Sequence, residues 1–338
     1  MSSRRRFISI AATCAALAPW HAVRAAAAPL PCVWRGTAMG ALASITLVHP
    51  DRARAQAQLE DCVRELQRLE DIFSLYRADS ALSRLNAQGE LPGPPHELVE
   101  LLAFSLSLSQ RSAGAFDPTI QPLYRLYADH FASPGGAPGG PCPEAIERVL
   151  RRVDFRAVEL RPDFVRLRRP GMALTLNGVA QGYVTDRVAD LLRAAGFNDV
   201  LVDLGEARAL GHRDDGQAWR AGIVDPRELT RTILELPLGE DRGALPALAT
   251  SAGYGTLFGT DPRVHHLLDP RTGRSANHYL SVSVAASRAT LADGLSTALS
   301  IGPPAQATAL LQAYPPTRVY LVEPDGRMRI LDASQSPT

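Results

Sequence analysis

Leu174 to Gly205, LTLNGVAQGYVTDRVADLLRAAGFNDVLVDLG, reads as a strand end, a glycine turn, one amphipathic helix, a stop and a buried strand. Val184, Val188, Leu191, Leu192 and Ala195 keep the 3, 4, 7 spacing of a single helical face. Asn177 is a candidate N-cap, and Gly196 supplies the left-handed residue that closes such helices. Asp199 to Leu204 then runs apolar and alternating, as a half-buried strand does. A glycine turn feeding a helix N-terminus offers backbone N–H groups to an anion, so a phosphate-bearing ligand is the first hypothesis.

Downstream, Thr290-Leu291-Ala292-Asp293 opens a last long helix with Leu295, Ala298, Leu299 and Ile301 inward. Asp293 and Thr297 are four apart and therefore share a face. An acid with a hydroxyl suits a hard cation such as Mg²⁺, while Thr290-x-x-Asp293 equally fits a capping box. Before that helix, Val264-His265-His266-Leu267-Leu268-Asp269-Pro270-Arg271-Thr272-Gly273 sets two histidines and an acid on a turn-rich loop. Upstream, Arg52 to Phe73 is a long amphipathic helix, Ser80 caps a short one, and His96 to Ser112 is another. Met39 lies between Gly36 and Gly40, where a backbone bends or meets something closely. Tyr76 either stacks on a planar ring or packs, and Ala115-Phe116-Asp117-Pro118 sets an acid on a rigid turn.

All 36 basic residues among the 338 are arginine. A Schiff-base lysine, a Walker A lysine and a lysine general base are thereby excluded. Ser3-Arg4-Arg5-Arg6-Phe7-Ile8, an apolar run to Ala18 and small residues around Ala22 to Ala28 match a twin-arginine export signal. We expect residues 1–28 to be that signal, residues 29–338 to be the mature domain, and the location to be the periplasm. The mature part keeps 32 basic and 35 acidic residues, since Arg4, Arg5, Arg6 and Arg24 go and no acid does. No basic stripe suggests nucleic acid, and no segment spans a bilayer, so any membrane contact is peripheral. Cys32, Cys62 and Cys142 remain, with no zinc spacing and no disulfide that the sequence selects.

Eight blocks, taken in order, resemble the ApbE family of FAD:protein FMN transferases. They are Gly36-Thr37-Ala38-Met39-Gly40; Phe73-Ser74-Leu75-Tyr76 through Asn86; Gly114 to Thr119; Asn177 to Asp186; Val202-Asp203-Leu204-Gly205; Ala249-Thr250-Ser251; His266 through Gly273; and Ala292 to Leu299. The resemblance spans about residues 33 to 332. It implies an α+β fold, one catalytic domain with mixed sheets flanked by helices, and Mg²⁺-dependent transfer of FMN from FAD to a Ser or Thr hydroxyl with release of AMP. By the same resemblance Met39, Tyr76, Ala115, Phe116, Asp117, Thr175, Gln181 and His266 line the flavin nucleotide site. His266 is the candidate base, and Asp293, Thr297 and the Gly178 carbonyl are the candidate Mg²⁺ ligands. Many members carry Asp where Thr175 stands, Lys or Glu where Gln181 stands, and Gly-Gly-Asp where Gly205-Glu206-Ala207 stands. With the export signal, the chain resembles members associated with nitrous-oxide respiration, whose acceptor is a membrane-anchored, periplasm-facing flavoprotein domain. The alternatives are an Mg²⁺-dependent FAD pyrophosphatase and a non-catalytic flavin-binding protein.

Overall fold

The structure is a computed structural model that describes residues 31–135, 137–241 and 243–333. The expected export signal at residues 1–28 lies outside them. In chain order the elements are β1 (Cys32–Ala38), β2 (Ala41–Leu47), α1 (Arg52–Phe73), α2 (Ala81–Gln88), β3 (Glu90–Pro92) and α3 (His96–Arg111). Next come α4 (Gln121–Ala132), α5 (Pro143–Leu150), β4 (Val158–Leu160), β5 (Phe164–Leu167), α6 (Ala180–Ala194), β6 (Val200–Asp203) and β7 (Ala207–Leu210). The chain closes with β8 (Trp219–Asp225), β9 (Glu228–Leu238), β10 (Ala247–Ala252), β11 (Ser281–Ala286), α7 (Ala289–Ile301), α8 (Ala307–Gln312), β12 (Thr317–Val322) and β13 (Met328–Asp332).

Among the described residues, eight strands form one sheet in the order β1-β2-β6-β7-β10-β11-β12-β13. Three more form β3-β5-β4, and β8 pairs with β9. The α+β class is as expected. The sheets, expected to be mixed, pair antiparallel throughout, because hairpins such as β1–β2, β6–β7 and β12–β13 build them.

The large sheet is covered on both faces. On β11 and β12, Val282, Val284, Val319 and Leu321 join the core shared with α1, α6 and α7. Their alternates Ala285 and Tyr320 face a second core with Trp219, Ala221, Ile223 and Leu238 of the β8–β9 hairpin. Two-sided covering is why β11 is buried at every position. Helix α1 buries Ala55, Leu59, Cys62, Leu66, Leu69, Ile72 and Phe73, and the Asp51 carboxylate accepts the Arg54 N–H at its start. A smaller cluster of Leu123 and Tyr127 from α4, Ile146 from α5 and Leu268 supports the histidine loop.

Candidate active site

Helices α6 and α7 meet at their N-termini, and each supplies the other's cap. Asp186 of α6, fully buried, accepts from Ala289 N–H (3.0 Å), Thr290 N–H (2.9 Å) and Thr290 Oγ1 (2.6 Å) at the start of α7. Arg208 Nη1 and Arg288 Nε also donate to it, at 2.8 and 3.2 Å. In return, Asp293 Oδ2 of α7 accepts the Gly182 N–H at 3.0 Å in the first turn of α6. A carboxylate at the positive end of a helix is favoured, so each acid stabilises its neighbour. Three expectations change. The N-cap of α6 is Val179, not Asn177, because Leu176 O accepts both the Val179 and Ala180 N–H groups. The N-terminus of α6 is not an open anion cradle, since Asp293 holds one of its donors. The Thr290-x-x-Asp293 capping box does not form, because Asp293 bonds across to α6 instead.

Gly182 is where the helices touch most closely: a Cβ there would lie 2.3 Å from Ala289 O and 2.8 Å from Asp293 Cβ. One turn earlier, a Cβ at Gly178 would lie 3.0 Å from Thr297 Oγ1 and 3.2 Å from Phe116 Cε2. The absence of a side chain at Gly178 thus lets the backbone approach Thr297. Thr297 Oγ1 lies 3.2 Å from Ser251 Oγ, which bonds Ser296 Oγ at 2.7 Å. Asp293 is only 4% exposed, and among the described residues no arginine or histidine forms an ion pair with it. Burial pushes its carboxyl up, the Asp186 charge adds to this, and the Gly182 N–H opposes it. A buried acid with one backbone donor, beside a hydroxyl and a close-approaching backbone, fits a hard divalent cation. Asp293, Thr297 and the Gly178 carbonyl would hold it.

Ala115 packs with Leu267, Ala276 and Ile301, which joins the Phe116–Gly178–Thr297 group to the histidine loop. Arg271 fixes that loop by pairing with Asp269 (2.7 Å) and donating to Ile301 O (3.2 Å) at the end of α7. His266 Nδ1 lies 3.2 Å from Thr256 O, and since a carbonyl only accepts, the ring proton sits on Nδ1. Nε2 then keeps a lone pair. Burial, followed by the neighbouring His265, lowers the His266 pKa to about 4, so the ring is neutral at pH 7. His265 itself is buried, and its Nδ1 accepts the Leu267 N–H at 3.3 Å, a structural role.

The remaining expected residues fall on turns and loops and at the start of α6. Asp117 is buried, with Thr119 N–H, Thr119 Oγ1 and Phe155 N–H donating to its carboxylate. Thr175 N–H donates to Pro118 O at 2.8 Å, which ties that turn to the segment before α6. Gln181 lies against the β6–β7 turn: its Nε2 is 3.4 Å from Leu204 O and would be 2.7 Å from a Cβ at Gly205. The same Cβ would lie 3.7 Å from Ala41 Cβ, so this turn connects the start of α6 to the β1–β2 hairpin. Met39 forms that hairpin's tip with Gly40, at φ 50° and 81°, and its N–H donates to Glu70 Oε1 at 2.7 Å. A non-glycine residue in the left-handed region is strained, and Glu70 restrains it. Tyr76 is 69% exposed, and its N–H donates to Ser74 Oγ at 3.1 Å. Residue patterns gave no role to Ser251, Glu70 or Asp186, because each acts on a partner distant in sequence.

The ApbE family model matches residues 39–321. A Treponema pallidum protein named FAD:protein FMN transferase is 34% identical over 297 residues, covering 82% of this chain and 80% of its own. A Salmonella typhimurium protein of the same name is 30% identical over 285 residues, covering 81% and 79%. Among solved structures, the flavin transferase ApbE from Vibrio cholerae superposes with TM-score 0.76 at 26% identity, covering 90% and 97%. The apo flavinyl transferase ApbE from Pseudomonas stutzeri superposes with TM-score 0.73 at 27% identity, covering 90% and 96%.

Proposed function

This chain belongs to the ApbE family, and we propose that it transfers FMN from FAD to a Ser or Thr hydroxyl of an acceptor protein, with Mg²⁺ held by Asp293, Thr297 and the Gly178 carbonyl. The observation that carries this reading is Asp293, a buried acid with no cationic partner among the described residues, set beside Thr297 and Gly178. A bound Mg²⁺ would offset the charge of the pyrophosphate.

The chain's own residues do the rest. With Nδ1–H committed to Thr256 O, His266 Nε2 takes the proton of the acceptor hydroxyl. The hydroxyl oxygen bonds to the phosphorus of the FMN half, the pyrophosphate bridge breaks, and AMP leaves. Phe116 and Ala115 form an apolar wall behind Thr297 and the histidine loop that limits water. Thr175 and Gln181 offer neutral polar groups on the flank.

The residue 1–28 segment supports export by the twin-arginine route and a periplasmic, membrane-anchored acceptor of the kind used in nitrous-oxide respiration. The test is incubation with FAD, Mg²⁺ and a periplasmic acceptor domain, followed by in-gel fluorescence, mass analysis and AMP assay. Transfer leaves an FMN mass on a Ser or Thr that survives denaturation. AMP without that mass would make the chain a FAD pyrophosphatase, and neither product would leave it a flavin-binding protein.

A further inference from the structure

Glu206 is an acid that this mechanism does not use. It sits in the turn between β6 and β7, is 7% exposed, and its Oε2 has no hydrogen-bond partner. The turn is stapled to α6, with Thr185 Oγ1 donating to Glu206 O at 3.2 Å and Gln181 Nε2 reaching Leu204 O. It is the same helix whose first turn meets Asp293. Burial raises the Glu206 carboxyl well above the usual carboxylate range, the charges of Asp293 and Asp203 add to this, and the Thr250 backbone N–H opposes it. Arg220 lines the small cavity beside it, but that guanidinium pairs with Glu235 at 2.9 Å. A buried acceptor without a donor is costly, and burying several acids together without a cation costs more.

Among the described residues, no three His, Cys, Asp or Glu side chains are placed to ligate one ion together. Glu206 therefore does not complete a direct ligand set with Asp203 and Asp293. Mg²⁺ usually keeps several of its waters, and those waters present only hydrogens to the protein. The complement they need is an acceptor lacking a donor, which is what Oε2 offers.

We propose that Glu206 is a positioning residue for the divalent cation held by Asp293, Thr297 and the Gly178 carbonyl, its Oε2 accepting a hydrogen bond from a water in that cation's shell. The inference rests on the cation reading given above. It deepens that reading by adding a second, water-linked acid to the site. Outer partners of this kind change metal affinity by about 10- to 100-fold when removed.

The test is isothermal calorimetry of MgCl₂ into flavin-free protein, with thermal melting in the presence and absence of Mg²⁺. Glu206→Gln keeps the shape and removes the charge. It should weaken Mg²⁺ binding by about 10-fold or more and shrink the Mg²⁺-induced rise in Tm, with circular dichroism unchanged. Glu206→Asp keeps the charge but withdraws the oxygen by one methylene. It should lose less affinity and carries the test independently should the Gln variant not fold. A folded variant of either kind with wild-type Mg²⁺ affinity overturns the role of Glu206 alone. Wild-type protein that binds no Mg²⁺ overturns the cation reading itself, and this proposal with it.

Discussion

An Asp293→Ala substitution would remove the acceptor of the Gly182 N–H together with the oxygens offered to a cation. Leaving that buried N–H unpaired should cost about 1–3 kcal/mol of stability, seen as a lower Tm. Asp293→Asn keeps a carbonyl oxygen for Gly182 and should recover most of that stability. It should still fail to transfer FMN, so Tm and product mass together separate the two effects. His266 gives a prediction with a defined sign. Its pKa falls from 6.5 to about 4 on folding, so above pH 6.5 the folded and unfolded chains are both neutral there. Between pH 6.5 and about 4 the unfolded chain binds a proton that the folded chain refuses. Stability should fall with pH across that window and level off below it. His265 is lowered in the same sense and adds to the slope. Melting curves from pH 4 to 8 should show a shallower slope in His266→Gln, and the acid limb of kcat/KM should lie near pH 4 rather than 6.5.

Gly182 sets how closely α6 and α7 pack, and Gly182→Ala would drive a methyl into Ala289 O and Asp293 Cβ. Overpacking of this kind should cost about 1–3 kcal/mol and, by moving Asp293, weaken Mg²⁺ binding as read by calorimetry. These same helices mark what local sequence could and could not convey. Helix α1 is legible to both ends, since Asp51 caps it and an apolar stripe runs through Phe73. The body of α6 is equally legible, but its start is not. The donor of Gly182 is satisfied from 111 residues downstream, and no local pattern encodes that. Helix α4 gives little signal because Pro118 and Pro122 crowd its start and its buried apolar side chains are few. Strand β7 (ARAL) has no β-branched or aromatic residue and exists because β6 and β10 flank it. Asp293, Thr297 and Gly178 are candidate ligands through family resemblance, and the packing of α7 sets Thr297 beside Gly178. The Ser251 and Glu206 contributions come from strand order, which puts the end of β10 and the β6–β7 turn beside these helices.

For the whole molecule, the antiparallel sheet with covers on both faces gives a rigid base from which short turns reach the site. Among the described residues no helix is long and apolar enough to cross a membrane. Replacing Arg4 and Arg5 with Lys should keep the protein in the cytoplasm, as read by fractionation, while leaving transferase activity in the lysate unchanged. Export of the Lys–Lys form would reject the twin-arginine assignment. The exchange of caps between α6 and α7 also bears on how relatives should be judged. Asp293 and Asp186 hold the two helices together whether or not any chemistry takes place. A descendant that lost its activity would still be under pressure to keep both acids, so an aspartate at that position is poor proof of a working enzyme. Thr297, whose side chain among the described residues hydrogen-bonds only the Ser251 hydroxyl, has far less reason to persist in an inactive copy. It is the better marker of which copies still turn over.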